Sequence, residues 1–260
     1  MNSRASGLWV GVAMVLFAAC GETPASLCKE DNPTSVLRSL RALELPQRSF
    51  AVGIWSFEND SDDFLGQSNA TSTGVEFQRF GCTTENVYSA YFDSDSDRIE
   101  VPHTAQIHSM QRFTIAAWVK WDGSGTGYQR IVERSKNSGG GTPIFNLMVN
   151  ANSSGRIMAE ANTGTNVEFT SAASVTPGEW TFIVSTFDGS LLRIYKNGVF
   201  VDSTAVSGTL VTADDNRSIG VGNQVERPRG FRGHLAELGL WSEALTDAEI
   251  QSLHSRSIQK

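Results

Sequence analysis

The sequence predicts an all-β protein, an antiparallel β-sandwich that ends in one short helical turn. Three observations support this prediction. Strand-like runs of period two begin near Phe50, Gly-containing turns separate them, and only the last stretch has a helical pattern. The sandwich accounts for about 200 of the 260 residues, which suits one all-β domain.

The run FTIAAWVKW, residues 113–121, predicts a central strand. Every second position from Phe113 to Trp121 is apolar, and the intervening positions include Ala116 and Trp118. Because successive side chains of a strand point to opposite faces, this pattern indicates a strand that is covered on both sides.

The run EWTFIVSTFDGSLLRIYKNGVFVDST, residues 179–204, predicts three consecutive antiparallel strands. Asp188-Gly189 and Asn197-Gly198 separate the three runs. Such dipeptides supply the positive φ angles of tight hairpin turns, so the segment is predicted to be a meander.

The segment SEALTDAEIQSLHSR, residues 242–256, predicts the terminal helix. Thr246 precedes Glu249 by three residues, which is the spacing of a capping box.

The first nineteen residues have the features of an export signal. Arg4 precedes an apolar run from Leu8 to Ala19 that is too short to cross a membrane comfortably. The end of this run, LFAAC, resembles the lipobox of bacterial lipoproteins, which implies lipidation of Cys20 and anchoring at the cell envelope. Gly21 follows, and by the same resemblance it leaves the outer membrane open as the destination. The alternative is ordinary secretory cleavage.

The charge of the chain argues against nucleic acid as a partner. The formal net charge is −7. It becomes −8 once residues 1–19 are removed, because that segment holds one Arg and no acid, which leaves 20 basic against 28 acidic residues. No Lys/Arg-rich run is present.

Residues 20–48 are predicted to be a tether that contains a possible short helix. Apolar residues at helical spacing support the helix: Val36, Leu37, Leu40 and Leu43. In an exported protein Cys28 and Cys82 are candidates for a disulfide, which would stabilise the fold by about 4 kcal/mol. The alternative is two free thiols.

The stretch YFDSDSDRIEVP, residues 91–102, resembles the beginning of a calcium loop. Acids alternate at Asp93, Asp95 and Asp97, but a loop of the EF-hand type also needs Gly at its sixth position and Glu at its twelfth. Arg98 and Thr104 occupy those positions. The stretch is therefore predicted to be a surface hairpin whose turn carries acids.

Several segments together resemble the concanavalin A-like/laminin G-like domains of bacterial surface proteins. In chain order they are AVGIWSFEND, YFDSDSDRIEVP, FTIAAWVKW, GEWTFIVSTFDGSLLRIYKNGVFVDS and GHLAELGLWSEALTDAEIQSLH. The most specific part begins at Trp180 and ends at Asn197-Gly198. The resemblance covers about Val52 to Ser255 and implies a jelly-roll sandwich with one concave face, in a domain predicted to span residues 49–258.

The resemblance also implies a possible calcium site. Family members usually hold calcium between the acidic turn after the first strand and the closing strand, which correspond here to Glu58, Asp60 and Glu237. Ala236 stands where the family often has Asp, so backbone carbonyls would have to supply most of the remaining ligands.

The sequence argues against an enzyme. Retaining glycosidases of this fold commonly carry E-x-D-x-x-E on one strand, and the nearest segment, ELGLWSE, has Gly239 in place of Asp. Glu133 and Glu160 lie in strand-like runs and are predicted to be outward, solvated residues. The four histidines lack the spacing of a zinc site.

The favoured function is recognition of carbohydrate by the concave face and its loops. Sugar recognition typically needs exposed aromatic rings and a few polar groups. The candidate ligand-binding residues lie at or near the loops between residues 121 and 156: Trp121, Tyr128, Arg130, Phe145, Asn146 and Arg156. For Trp121 and Phe145 a place in the core is the alternative.

Two other functions stay open. A structural or adhesive lipoprotein would bind a surface protein through a sizeable exposed apolar patch. A glycoside-active enzyme comes third.

Overall fold

A computed structural model describes residues 49–80, 87–137, 142–225 and 229–257. The predicted signal peptide, the lipidation site Cys20, the tether with its helix and both candidate disulfide residues, Cys28 and Cys82, lie outside the described residues. In the described part of the chain no helix has the length and apolar character needed to cross a membrane.

The described residues form fifteen strands and two α-helices. The strands are β1 (Ala51–Trp55), β2 (Thr71–Thr73), β3 (Glu76–Phe80), β4 (Val87–Phe92), β5 (Arg98–Val101), β6 (Phe113–Trp121), β7 (Tyr128–Ser135), β8 (Pro143–Asn150), β9 (Arg156–Asn162), β10 (Asn166–Ser174), β11 (Trp180–Phe187), β12 (Leu191–Lys196), β13 (Val199–Ala205), β14 (Ile219–Val221) and β15 (Gly233–Trp241). Helix α1 is Ala105–Ser109, and helix α2 is Asp247–Ser257.

The strands form two antiparallel sheets that pack as a sandwich. The eight-stranded sheet has the order β13-β12-β11-β6-β15-β4-β3, with β1 also paired to β15. The seven-stranded sheet has the order β10-β9-β8-β7-β14-β5-β2. This architecture confirms the predicted antiparallel sandwich.

The main hydrophobic core lies between the two sheets. Phe113, Ile115 and Val119 of β6 point into it and are fully buried. The opposite face of β6 carries Ala116 and Trp118, which pack in a second apolar cluster. The prediction that this strand is covered on both sides is therefore confirmed.

Helix α2 contributes to the second cluster. Its residues Ile250 and Leu253 are buried against the outer face of the eight-stranded sheet. Thr246 Oγ1 accepts a hydrogen bond from the Glu249 backbone N–H at 3.3 Å, and Glu249 Oε2 accepts one from the Thr246 backbone N–H at 2.8 Å. The predicted capping box is confirmed, although the helix has eleven residues instead of a single turn.

The predicted meander is confirmed as β11-β12-β13. Asn197 and Gly198 both have positive φ, 51° and 76°, as a tight hairpin turn of this handedness requires. Gly189 also has positive φ, and the β11-β12 register runs from Phe187–Leu192 to Ile183–Lys196.

The acidic stretch at residues 93–97 forms a turn, but the prediction of a hairpin is wrong. β4 belongs to the eight-stranded sheet and β5 to the seven-stranded sheet, so the chain changes sheets here. Asp97 is 2% exposed, and its Oδ2 accepts backbone hydrogen bonds from Asp93 at 2.9 Å and Ser94 at 2.8 Å. Asp97 thus closes the turn with protein donors.

Candidate functional site

The outer face of strands β7, β8 and β9 carries most of the polar residues that the sequence singled out. Three rows of side chains cross these strands in register, on the face away from the main core: Tyr128/Asn150/Arg156, Arg130/Met148/Met158 and Glu133/Asn146/Glu160. We call this set the polar face. An irregularity of β7 between Arg130 and Val132 places Arg130 and Glu133, three residues apart, on the same face.

The polar face brings together four of the six predicted ligand-binding residues. Tyr128 and Arg156 are exposed, and both pair in register with Asn150. Arg130 and Asn146 are 5% and 0% exposed. Tyr128 and Arg156 therefore lie at the surface, whereas Arg130 and Asn146 are buried behind it.

The other two predicted residues, Trp121 and Phe145, are in the main core. Trp121 is 4% exposed and donates from Nε1 to Gln129 Oε1 at 2.9 Å. Phe145 is fully buried, with its ring 5.1 Å from that of Phe113. Their predicted role as ligand-contacting residues is corrected, because strand alternation turns Phe145 inward when Asn146 faces outward.

Two carboxylates of the polar face were predicted to be solvated, and the structure buries both. Glu133 is 2% exposed and Glu160 is 3% exposed. Glu133 lies 2.6 Å from Arg130 Nε and accepts a hydrogen bond from Ser135 Oγ at 2.9 Å. Their burial together follows from their register with Asn146, and no signal in the sequence gives that register without the strand order.

The carboxyl group of Glu160 has a raised pKa. Burial raises the pKa of Glu160 to about 7, against the opposing influence of the Arg130 charge, and the neighbouring carboxyls Glu168 and Glu133 raise it further. Asn146 Nδ2 donates a hydrogen bond to Glu160 Oε2 at 2.5 Å. The Oδ1 atom of Asn146 is buried and has no hydrogen-bond partner in the described structure.

A cleft of about 390 Å³ adjoins the polar face at Tyr128. The residues from Gly125 to Gln129 line one side of it, and Asp95, Arg229 and Arg232 are also in its lining. Arg232 Nη2 lies 2.9 Å from Asp95 Oδ1, and Arg229 is exposed. We call this feature the Tyr128 cleft.

Tyr128 is the aromatic side chain of this cleft. Its side chain is 37% exposed, and the Arg130 guanidinium carbon lies 6.0 Å from the centre of its ring. The Arg130–Glu133 ion pair holds that guanidinium from the buried side. The arrangement offers a ligand an aromatic face next to guanidinium donors and a carboxylate acceptor.

A larger groove of about 780 Å³ is lined by residues of helix α1, of the β11-β12 turn and of the segments that follow β13 and β15. Its lining includes Arg112, Asp188 and Glu243 but, among the described residues, no aromatic side chain. Arg112 and Glu243 are joined at 3.0 Å, and Asp188 is joined to Arg193 at 2.6 Å. This groove lacks the aromatic surface that the Tyr128 cleft provides.

The three residues predicted to bind calcium are placed as follows. Asp60 is exposed, and its Oδ1 accepts the Asp62 backbone N–H at 3.1 Å. Glu58 is half-buried, and Glu237 is 6% exposed at an irregular point of β15. Within the described ranges, no three His, Cys, Asp or Glu residues are grouped so that they could hold a metal ion. Calcium stays a prediction.

Asp63 organises the turn after β1, and the sequence reasoning missed it. Asp63 is 5% exposed and accepts backbone hydrogen bonds at 2.8–3.1 Å from four residues: Ile54, Leu65, Gln67 and Ser68. Protein N–H groups thus satisfy the buried carboxylate of this acidic turn.

Comparisons with known proteins agree with this architecture. The sequence profile of the concanavalin A-like lectin/glucanases superfamily, in its laminin G form, matches residues 93–251. Pappalysin-1 of Mus musculus is 32% identical over 81 residues, which are 30% of this chain and 5% of that protein. The chain therefore matches only a small part of this curated relative.

Solved structures with the same fold include carbohydrate-binding and toxin domains. Domain 4 of the extracellular arabinanase AbnA from Geobacillus stearothermophilus, solved with arabinotriose, has a TM-score of 0.60 and 19% identity over 79% of this chain and 98% of that chain. The binding domain of Paraclostridial Mosquitocidal Protein 1 has a TM-score of 0.61 and 16% identity over 80% and 52%. Likeness at this identity shows the fold, and the profile match covers more than half of the sequence. The chain belongs to the concanavalin A-like lectin/glucanases superfamily.

Proposed function

We propose that the chain is a non-catalytic cell-surface module that binds carbohydrate at the Tyr128 cleft. The observation that supports this most directly is the partly exposed Tyr128 ring beside Arg229 and Arg232 in one concave site. A sugar ring presents C–H groups that pack on an aromatic face, and its hydroxyls need donors and acceptors around them.

The polar face supports this site from behind. Arg130 is fixed by Glu133 at 2.6 Å and lies next to the Tyr128 ring. A ring that is held in place loses little conformational entropy on binding, so it suits a binding surface. Arg156, two strands away from Tyr128 and about 10 Å across the sheet, is available to extend the contact along the same face.

The comparisons support a binding module in general terms. The AbnA domain of the same fold was solved with arabinotriose. A solved chain of botulinum neurotoxin type C, 53% of which aligns with this chain, comes from a toxin whose cell entry depends on interaction with two ganglioside molecules. These ligands belong to those proteins. Arabino-oligosaccharides and sialylated glycans are therefore the first compounds to test.

The test is binding to a polysaccharide and oligosaccharide panel, followed by calorimetric titration of any hit. Replacing Tyr128 with Ala is expected to weaken binding by roughly tenfold, the equivalent of about 1.4 kcal/mol of lost contact. Phe200→Ala is the matched control, because Phe200 is an exposed aromatic residue on β13. Equal affinities of Tyr128→Ala and the unmodified chain would place the ligand elsewhere, and no binding across the panel would remove the carbohydrate proposal.

Catalysis needs a separate test, because Glu133 and Glu160 lie on one face, about 10 Å apart at the backbone. We expect a bound polysaccharide to stay intact, as both carboxyls are buried and bonded to Arg130 and Asn146. Release of reducing ends, lost on Glu160→Gln, would overturn the non-catalytic proposal.

A protein partner is the second candidate function. Val199 and Phe200, next to each other at the start of β13, are 63% and 46% exposed. β13 is an edge strand, so a partner could bury this apolar pair and extend the sheet. Loss of cell-surface adhesion on Val199→Asp, with carbohydrate binding unchanged, would favour this candidate.

We also propose that Cys20 is lipidated and that the protein is exported and anchored at the bacterial cell envelope. The support is the sequence of residues 1–20. Cys20→Ser is expected to move the protein from the membrane fraction to the soluble fraction, and an unchanged distribution would contradict the anchor. Peptide mapping without reduction tests the proposed bridge between Cys28 and Cys82.

A further inference from the structure

Arg134 of β7 is a buried cation on the core side of the seven-stranded sheet. It follows Glu133 directly and therefore points to the opposite face, where it pairs in register with Phe145 and Ile219. Its exposure is 1%. The guanidinium reaches helix α1, where Nη1 donates a hydrogen bond to the carbonyl oxygen of Ile107.

Among the described residues, the rest of this guanidinium has no partner. Its Nε and Nη2 atoms are buried and have no hydrogen-bond acceptor, and no ion pair joins Arg134 to a described carboxylate. Burial lowers the pKa of Arg134 to about 10. Buried charges in proteins are normally paired, since an isolated charge in a low-dielectric interior is costly.

A second unpartnered polar atom lies on the segment that leads into helix α1. The Nδ1 atom of His103 is buried and has no hydrogen-bond partner in the part of the chain that the structure describes, and the His103 ring is 5.4 Å from that of His108. Burial lowers the pKa of His103, and the positive charges of Arg134 and His108 lower it further. A neutral imidazole with its proton on Nδ1 is a hydrogen-bond donor.

We propose that Arg134 and His103 form a binding site for a small inorganic anion, such as chloride, sulfate or phosphate, beneath helix α1. The Nε–H and Nη2–H groups lie on one edge of the guanidinium and form a two-pronged donor, which suits two oxygens of an oxyanion or one halide. The His103 Nδ1–H group adds a third donor. The bound anion neutralises the charge that the fold leaves without a carboxylate.

The surroundings restrict the anion to a small one. Ile107 is fully buried and Met110, just after α1, is 4% exposed. A sugar or peptide carboxylate would have to displace buried side chains beneath the helix, whereas a single small ion needs far less room. The site is independent of the Tyr128 cleft, because Arg134 faces away from the polar face.

The first test is thermal unfolding of the full chain in increasing chloride, sulfate and phosphate. Because the anion binds the folded state, the melting temperature is expected to rise with the logarithm of the anion concentration once that concentration exceeds the Kd. The increase is roughly 5–10 °C at a hundredfold excess over the Kd. Arg134→Met, which keeps a long apolar side chain, should lose this dependence. Arg112→Met is the matched control, since Arg112 is an exposed arginine whose side chain is 53% accessible.

A direct measurement keeps the proposal testable if Arg134→Met does not fold. The unmodified chain should broaden the chloride-35 NMR line, and added sulfate or phosphate should reverse the broadening by competition. His103→Phe should reduce the broadening severalfold. The proposal fails if no competable broadening occurs, or if Arg134→Met and the unmodified chain respond alike to all three anions.

Discussion

Asn146 donates a hydrogen bond of 2.5 Å from its side-chain amide to the carboxyl group of Glu160 on the neighbouring strand. The pair sits in the middle of the polar face, with Glu133 on the other side of Asn146 in the same register row. Two acids and one amide are thus buried together. Within the described ranges, Glu133 has an ion-pair partner, Arg130, and Glu160 has none. The energetic consequences of this arrangement can be measured.

Glu160 makes stability depend on pH. Its folded-state pKa is raised to about 7 from an unfolded value near 4.5, so the folded state binds more protons than the unfolded state between these values. The free energy of unfolding therefore decreases as pH rises from about 4.5 to 7. Glu160→Gln removes this loss of stability. Above pH 7 the variant should therefore have a free energy of unfolding up to about 3 kcal/mol higher than the unmodified chain.

Urea unfolding at pH 4.5, 5.5, 6.5 and 7.5 checks this expectation. The difference in unfolding free energy between Glu160→Gln and the unmodified chain should grow with pH over this range. Glu179→Gln is the control, since Glu179 is an exposed glutamate outside the polar face. A difference that stays constant from pH 4.5 to 7.5 would contradict the buried position of Glu160.

Trp121 is expected to matter for stability, unlike Tyr128. Replacing Trp121 with Ala removes a core side chain and the hydrogen bond to Gln129, at a cost of about 3–5 kcal/mol. Tyr128→Ala, at a partly exposed position, should cost less than about 1 kcal/mol. Chemical denaturation of both variants measures the contrast, and similar costs would place Trp121 at the surface.

Asp63 is expected to be the key acid of the turn after β1. Its carboxylate accepts four backbone hydrogen bonds, so Asp63→Ala leaves several buried N–H groups unpaired and should cost about 2–4 kcal/mol. Asp60→Ala is the matched control, because Asp60 is exposed and should cost at most about 0.5 kcal/mol. Equal melting temperatures for the two variants would argue against this role.

Calcium at Glu58, Asp60 and Glu237 is a prediction that thermal unfolding tests. If the metal binds there, millimolar calcium should raise the melting temperature relative to a chelator, by linkage, and Glu237→Ala should lose the increase. An increase that survives Glu237→Ala would move the metal away from the closing strand. If calcium does not raise the melting temperature of the unmodified chain, the prediction of a calcium site is wrong.

The local elements were predictable where one pattern dominates. The period of two in β6, the Asn197-Gly198 turn and the Thr246–Glu249 capping box each involve residues that are close in sequence, and all three are confirmed. The segment around Asp97 was predicted less well. Its turn residues are local, but which sheet each flanking strand joins is decided by distant partners, Leu235 for β4 and Ile219 for β5.

The candidate binding residues were also predictable only in part. Tyr128, Arg130, Asn146 and Arg156 were chosen for their chemistry near predicted loops, and the structure places them on one face. Strand alternation decided that Trp121 and Phe145 face inward, and the loops did not signal it.

The sequence by itself determined the strands, their turns, the terminal helix and the membership of an all-β sandwich, because these follow from hydrophobic period and local turn geometry. Only the tertiary structure decided that Glu133, Asn146 and Glu160 share one register row and that Arg229 and Arg232 meet Tyr128 in a cleft. It also decided that Arg134 lies buried with no carboxylate partner among the described residues. Pairing between strands that are far apart in the chain sets the burial and electrostatic partners of these side chains, and a single sequence contains no direct record of that pairing.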